Sequence, residues 1–415
     1  MLDSGLFFLC GVILPILLLL TGIRYGGRLG FFYILHPVKT ARTIMSGKGG
    51  FSALSLALAG TLGIGNIAGV SSAIIMGGPG AVFWMIVSAF VAMGVKYGET
   101  FFAVRYKKTR NGVGFGGAPY YITEAIKGGK GYALAIIFAL MCALNSIITG
   151  NLVQINAVTG ALPIHPIVIG ICFCAPLILV LAGGVDKISS VTAVIIPALT
   201  LAYVCLSLYV IISNSATLPR IFTDIVKGAL SFRSAAAGGV SYGAMSALRY
   251  GVSRGILSNE AGCGTSPIAH ASAENPPHVQ GCLGIFEVFA DTVLLCTLTA
   301  LVVLIYGVED MSPISLVTSA FGAYLGNFGR AFIIVACFIF AFATLISQFY
   351  YGDKSLSFIS ERKIIHTPFA VLYILTVLLA PFAPEEAIWT LSDVNIAALT
   401  LFNLFILNIL IKKLR

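Results

Sequence analysis

Charge is what this 415-residue sequence has least of. Asp, Glu, Lys and Arg make up 10% of it, against 58% hydrophobic residues and a mean hydropathy of +0.98. Soluble domains carry roughly a quarter of their residues as those four types, so a water-soluble globular fold is excluded. Alternating ten-residue strands of the membrane-barrel kind are missing too, while apolar stretches of about 20 residues recur, each able to cross a bilayer as a helix. No basic segment precedes the first apolar stretch, where only Asp3 stands, and Arg24 and Arg28 follow it. That flank order fits a helix with its N-terminus outside rather than a cleaved leader. Nine cysteines, among them Cys172, Cys174, Cys205 and Cys337, lie mostly in apolar segments without the spacing of a zinc site or a disulfide framework. They read as small lipid- or bundle-facing residues.

Eleven apolar segments can be drawn: 5–22, 51–77, 81–103, 131–159, 166–183, 189–213, 235–257, 281–307, 330–351, 367–383 and 387–411. With the N-terminus outside, all but four of the 25 Lys and Arg fall in cytoplasmic connections or inner helix ends, the exceptions being Arg220, Lys227, Arg233 and Arg330. The positive-inside rule selects this orientation and a cytoplasmic C-terminus. It also accounts for the net charge of +9 without a nucleic-acid partner. Two stretches, 30–46 and 218–231, read as amphipathic and interfacial. Setting the first helix aside leaves ten, five plus five, and because five is odd the second half enters the bilayer inverted. The expected architecture is an all-α integral membrane bundle. It has an extra N-terminal helix and amphipathic segment over 1–50, repeats over 51–213 and 214–411, and a tail over 412–415. The first helix of each half is interrupted by glycine, at 60–66 and at 238–243. Such a pair is the sequence pointer to a secondary transporter's binding site.

The stretch "AGTLGIGNIAGV" at 59–70 carries the argument. Gly60, Gly63 and Gly65 each weaken a helix by about 1 kcal/mol against alanine. Close helix packing is one explanation, and Gly69 with Ser71-Ser72-Ala73 fits it. Thr61 and Asn66 bring in another, because an unwound turn exposes backbone groups that must line a polar cavity. The half-helix starting near Asn66 presents N–H groups suited to a carboxylate; the one ending near Thr61 presents carbonyls suited to a cation. A zwitterionic amino acid travelling with Na+ is the cargo this implies. Asn151 and Gln154, three residues apart and so expected on one helix face, are either interhelical glue or ligand contacts.

Other polar residues carry two readings each. Glu287 and Asp291 are candidates for a proton site or gate, or for pairing with Arg249 or Arg254. Asp393 with Asn395 is a candidate for gating or binding. The segment "SNEAGCGTSPIAHASAENPPH", with Glu260, His270, Glu274 and His278, reads as a cytoplasmic loop forming an inner gate capped at Ser258 or Asn259. Its spacing matches no standard zinc pattern and it lacks a nucleophile. All five histidines fall in loops or at helix ends, which argues against a buried imidazole relay.

The passages "GTLGIGNIAGVSSAIIMGGPGAVFWM" (60–85) and "RYGVSRGILSNEAGCGTSPIAHASAE" (249–274), with "GNLVQINAV" and "FAFATLISQFYYGD", resemble the alanine or glycine:cation symporter family, a branch of the amino acid–polyamine–cation transporters. The resemblance covers nearly the whole chain. It implies the inverted five-plus-five fold, with discontinuous first and sixth core helices and one extra N-terminal helix. It puts the backbone of Gly63, Ile64 and Gly65 at the substrate carboxylate, with Thr61 and Asn66 near substrate or a first cation. It further implies a sodium site from the carbonyls of Ala59 and Leu62 with Thr344, and substrate contacts from Gln154 and Tyr242. Two departures stand out. Ala343-Thr344 replaces a pair of hydroxyl residues found in many members, which weakens Na+ or favours H+. Ser347-Gln348 replaces Gly-Trp, so Gln348 gives a roomier, more polar pocket wall.

The expected function is Na+-coupled import of a small neutral amino acid, alanine or glycine, with no organic cofactor and no obligate protein partner. The rival within transport is a proton-coupled carrier or one for serine or another polar amino acid. A membrane-embedded enzyme lacks a catalytic constellation here, and a channel wants a symmetric pore-lining set.

Overall fold

The computed structural model describes residues 9–47, 50–110, 113–160, 162, 164–230, 243–309 and 311–414. The main helices are α1 (Leu9–Arg28), α2 (Gly50–Thr61), α3 (Ala68–Gly77), α4 (Gly80–Arg105), α5 (Gly129–Thr159), α6 (Pro166–Ala182) and α7 (Gly184–Ser213). They continue as α8 (Leu218–Leu230), α9 (Gly243–Asn259), α10 (Pro267–Ala271), α11 (Pro277–Tyr306), α12 (Pro313–Ile359), α13 (Lys363–Leu379) and α14 (Glu385–Leu410). Among the described residues, eight helices are long and apolar enough to cross a membrane. Prolines open several of them, as at Pro166, Pro277 and Pro313, where the first-turn N–H has no helical partner to lose. Gly307 (φ 108°) stops α11 and Gly326 (φ 63°) bends α12 into two helices. The connection between α4 and α5 contains a two-stranded hairpin that pairs Lys108–Arg110 with Val113–Phe115.

Large side chains fill the interior, among them Tyr25, Phe102, Phe138, Phe173 and Tyr351, while Leu20, Leu179 and Phe405 point outward. Small residues allow the closest approaches. A side chain on Gly98 of α4 would overlap the ring of Tyr25, through which α1 docks, and the Tyr25 hydroxyl donates to the Leu407 carbonyl of α14 at 2.6 Å.

Two helices stop inside the bundle. The first break separates α2 from α3 at residues 62–67, as the glycines suggested. The second separates α9 from α10 at 260–266, and every residue from 254 to 271 is buried. Residues 238–242 of the interruption expected at 238–243, Tyr242 among them, lie outside the described residues, and Gly243 opens α9. The "SNEAGCGTS" stretch, expected to be a cytoplasmic loop, is thus interior backbone. Its chain path turns through left-handed conformations at Gly262 (φ 93°) and Gly264 (φ 75°), which glycine adopts without a Cβ clash, and at Glu260 (φ 50°), which does so under strain.

Gly98→Leu is expected to push α1 off α4, lowering stability by about 1–3 kcal/mol as overpacking does. The check is a lower melting temperature of the purified protein in detergent; an unchanged melt would mean the Tyr25 contact carries no packing energy.

Candidate functional site

In the first break, Gly63 is extended (φ −129°, ψ −154°) and Ile64–Asn66 form one tight turn before α3 resumes. The Gly63 N–H donates to Asn66 Oδ1 (3.1 Å) and to the Thr61 carbonyl (2.9 Å). The Ile64 N–H donates to Gln154 Oε1 of α5 at 2.9 Å. A Cβ on Gly63 would lie 2.5 Å from Thr344 Oγ1 and 2.8 Å from Gln154 Oε1. Thr344 in turn donates to the Ala59 carbonyl at 3.1 Å. Ala59, Gly63, Ile64, Gln154 and Thr344 therefore meet at one point, from α2, the break, α5 and α12. The neighbouring glycines are about packing: Gly60 faces the Tyr351 ring, and a Cβ on Gly65 would stand 3.0 Å from Ser258 Cα of α9. The Thr61 hydroxyl bonds back to the Ala57 and Leu58 carbonyls (3.3 Å each), and the Leu62 N–H closes on the Leu58 carbonyl (2.6 Å).

Asn66 ties this break to α9 and α11. Its Nδ2 donates to Asp291 Oδ1 (2.7 Å), the Asp291 carbonyl (3.1 Å) and Ser258 Oγ (3.1 Å). Ser258 and Thr292 hydroxyls also donate to the Asp291 carboxylate, at 3.0 and 2.6 Å. Asp291 is fully buried and these donors are all neutral. It sits in a π-helical stretch of α11, Phe289–Cys296, whose wider turn releases carbonyls from the regular ladder.

The second break is held by buried charges, of which Lys96 and Glu99 are not among the expected site residues. Glu99 of α4 accepts the N–H groups of Gly262 (3.0 Å) and Gly264 (2.7 Å) and the amide of Asn403 (2.5 Å). Three residues earlier, Lys96 donates to Ser266 Oγ (2.7 Å) and meets Glu287 Oε1 (3.3 Å). Lys96, Glu99 and Glu287 are all 0% exposed. Their signal was present in "GVKYGETFF": a lysine and a glutamate inside an apolar segment are expensive in hydrocarbon and need a partner. Glu260 accepts from Thr265 Oγ1 and from Gln348 Nε2 of α12. Gln348 packs over Gly150 of α5, where a side chain would overlap it, and lies one turn from Thr344.

Several expectations are corrected. Glu287 pairs with Lys96 and His270 rather than with Arg249 or Arg254, and Arg254 pairs with Asp393 (2.7 Å). His270, expected in a cytoplasmic loop, is fully buried, meeting Glu287 through Nε2 (3.1 Å) and Gln280 through Nδ1 (2.9 Å). Asn151 and Gln154 do not act together. A π turn at Ile148–Leu152 aims Asn151 at the Tyr373 carbonyl and Thr376, whereas Gln154 reaches the break. Asn395 bonds Asn145 at 2.7 Å. A separate cavity of about 700 Å³ lies between α3, α9 and α14, lined by Met76, Arg249, Arg254, Trp389 and Asp393 among others.

Residues 2–415 match the model of the sodium:alanine symporter family. The chain belongs to that family. It is a multi-pass membrane transporter, a symporter and not an enzyme. The amino-acid carrier protein AlsT of Bacillus subtilis is 31% identical over 401 residues, covering 94% of this chain and 85% of that protein. The sodium/alanine symporter AgcS of Methanococcus maripaludis is 32% identical over 422 residues, covering 96% and 91%. The probable sodium/glutamine symporter GlnT of Bacillus subtilis is 30% identical over 416 residues, covering 96% and 86%.

Glu99→Ala would strip two buried backbone N–H groups of their acceptor, at about 1–3 kcal/mol each. The expected result is a clear drop in detergent melting temperature, with Glu99→Gln, which keeps one oxygen, falling between. Identical melts for all three proteins would show that Glu99 does not hold the break.

Proposed function

We propose that this symporter imports a small neutral amino acid, alanine or glycine first, together with Na+, by alternating access of an inverted five-plus-five bundle of eleven spans with its N-terminus outside. The observation that carries the reading is the first break. The Ile64 N–H points away from its own helix and is met by a side-chain oxygen of Gln154, which is the kind of partner a carboxylate oxygen would replace. On this reading the backbone of Gly63, Ile64 and Gly65 forms the cradle, Gly65 also allowing the close approach of Ser258, with Thr61, Asn66, Gln154 and Gln348 as its side-chain and carbonyl contacts; Tyr242, assigned by resemblance, lies outside the described residues. A carbonyl and a hydroxyl oxygen 3.1 Å apart, from Ala59 and Thr344, fit one side of a Na+ shell. Leu62, Thr61 and Asn66 would complete the cation positions, and the buried Asp291 carboxylate beside Asn66, met by neutral donors among the described residues, supplies a negative charge for a cation. AgcS and GlnT, by their names, pair sodium with alanine and with glutamine, which supports the ion and leaves the side chain of the cargo to the pocket wall.

Alanine uptake into proteoliposomes under separately imposed Na+ and H+ gradients tests the ion. Na+ alone is expected to drive accumulation. Asn66→Ala is expected to abolish uptake per folded molecule, because the residue links the cradle to Asp291; normal affinity in the folded mutant would reduce Asn66 to packing.

A second reading, of a carrier that also takes serine, is favoured by one observation: Gln348 Oε1 is buried without a partner. A cargo hydroxyl facing it would gain a hydrogen bond, and leaving such an acceptor empty costs about 1–3 kcal/mol. Serine is then expected to compete with alanine as well as glycine does. Gln348→Trp is expected to reduce serine most in competition curves, and a uniform shift of all three amino acids would remove Gln348 from the pocket.

A further inference from the structure

Glu260 combines features that the transport reading above does not use. It is a non-glycine residue held at φ 50° inside the second break, and it is 4% exposed. Among the described residues its carboxylate touches only neutral donors, the Thr265 hydroxyl and the Gln348 amide. The nearest cation, Lys96 on α4, is turned to Ser266 and Glu287 instead. Acidic neighbours are Glu287 on α11 and Glu99 on α4, and the latter is occupied by Gly262, Gly264 and Asn403. Cys142 on α5, Tyr351 on α12 and Cys263 on its own segment are the other titratable groups around it. His270 stands behind Glu287. An ionised carboxylate so placed is expensive unless a proton or a cation joins it.

The partner of that carboxylate is an amide with its other end unpaired. While Glu260 is ionised, Gln348 Nε2 must face it and Oε1 is left as a buried, empty acceptor. A protonated Glu260 would carry an O–H that needs an acceptor, and half a turn of the same amide supplies Oε1, sending Nε2 the other way. The proton on Glu260 therefore decides whether Gln348 shows an acceptor or a donor. We propose that Glu260 and Gln348 form a proton-binding unit that is linked to cargo binding, a deeper reading that rests on Gln348 lining the cargo site. Every amino acid brings an ammonium group, which is a donor and positively charged. Cargo accordingly favours ionised Glu260 with Oε1 presented, and the bound proton leaves when cargo arrives. By reciprocity a proton weakens cargo binding to the same degree.

The test is calorimetric titration of the purified full-length protein with alanine at fixed Na+, at about pH 5.5 and about pH 8, in buffers of different ionisation enthalpy. Wild type is expected to bind about tenfold more weakly at the acidic pH, within the usual range of coupling between sites, and to release a proton on binding. Glu260→Gln is expected to flatten the pH profile and abolish proton release. Gln348→Met keeps the carboxylate but removes the link, and is also expected to be flat. The proposal is overturned if wild type releases no proton, or if Glu260→Gln keeps the wild-type profile. Should Glu260→Gln fail to fold, a wild-type profile in Gln348→Met overturns it equally. The two readings separate cleanly. Uniform selectivity in the Gln348→Trp competition defeats the pocket assignment, whereas altered selectivity with unchanged pH profiles defeats only the proton link.

Discussion

A helix that stops inside a dry bundle leaves N–H and C=O groups that no water can reach, and each must find a partner or cost several kcal/mol. Most of the polar chemistry in this protein answers that demand. The first break is closed by Gln154, Asn66 and Thr344, each from a different part of the chain. The second is closed by Glu99, Asn403 and Lys96. The partners are not interchangeable: neutral amides and hydroxyls, which can exchange for a ligand at small cost, serve the first break. A carboxylate, which binds backbone N–H groups more strongly and fixes them, serves the second, with an ammonium on the Ser266 hydroxyl.

That difference separates the two breaks physically. Around residues 62–67 the backbone N–H groups meet neutral side-chain oxygens, Gln154 Oε1 at Ile64 and Asn66 Oδ1 at Gly63, while the Asn66 amide reaches out to the Asp291 carboxylate. Around residues 260–266 the Glu99 carboxylate grips the N–H groups of Gly262 and Gly264, and α4 presents Lys96 three residues before it, so the segment is anchored to a long helix. Asn66 couples the two regions through Ser258 and Asp291. A change of geometry at the cradle is felt by α9 and α11, the elements that begin and follow the second break.

The excess of buried acid over buried base follows from the same arrangement. Glu99, Glu260, Glu287 and Asp291 are all buried, and Lys96 pairs directly with Glu287 alone among them. Glu99 is compensated by backbone, Glu287 by Lys96 and His270, and Asp291 by Asn66, Ser258 and Thr292. Glu260 has the smallest set among the described residues, the Thr265 hydroxyl and the Gln348 amide. Electrostatic slack in this interior is therefore concentrated at Glu260, where a proton or a cation has the most to gain.

The sequence by itself determined the membrane setting, the helical class and the first break. Composition, apolar length and glycines beside Thr61 and Asn66 are local properties, and local physics reads them. It also offered Gln154, Thr344 and Asn66 through family resemblance, and the structure brings these three around residues 59–66. It did not show that "SNEAGCGTS" is interior, because a stretch rich in small and polar residues reads as a loop until something is seen to satisfy its backbone. The satisfying groups are Glu99 and Asn403, far away in the chain, and only the packing of α4 and α14 against the segment makes them its partners. The pairing of Glu287, the burial of His270 and the divergence of Asn151 from Gln154 were decided likewise. In each case a charge or an amide has several candidate partners along the sequence, and the tertiary structure chooses one by distance and by a π turn that shifts the helix face.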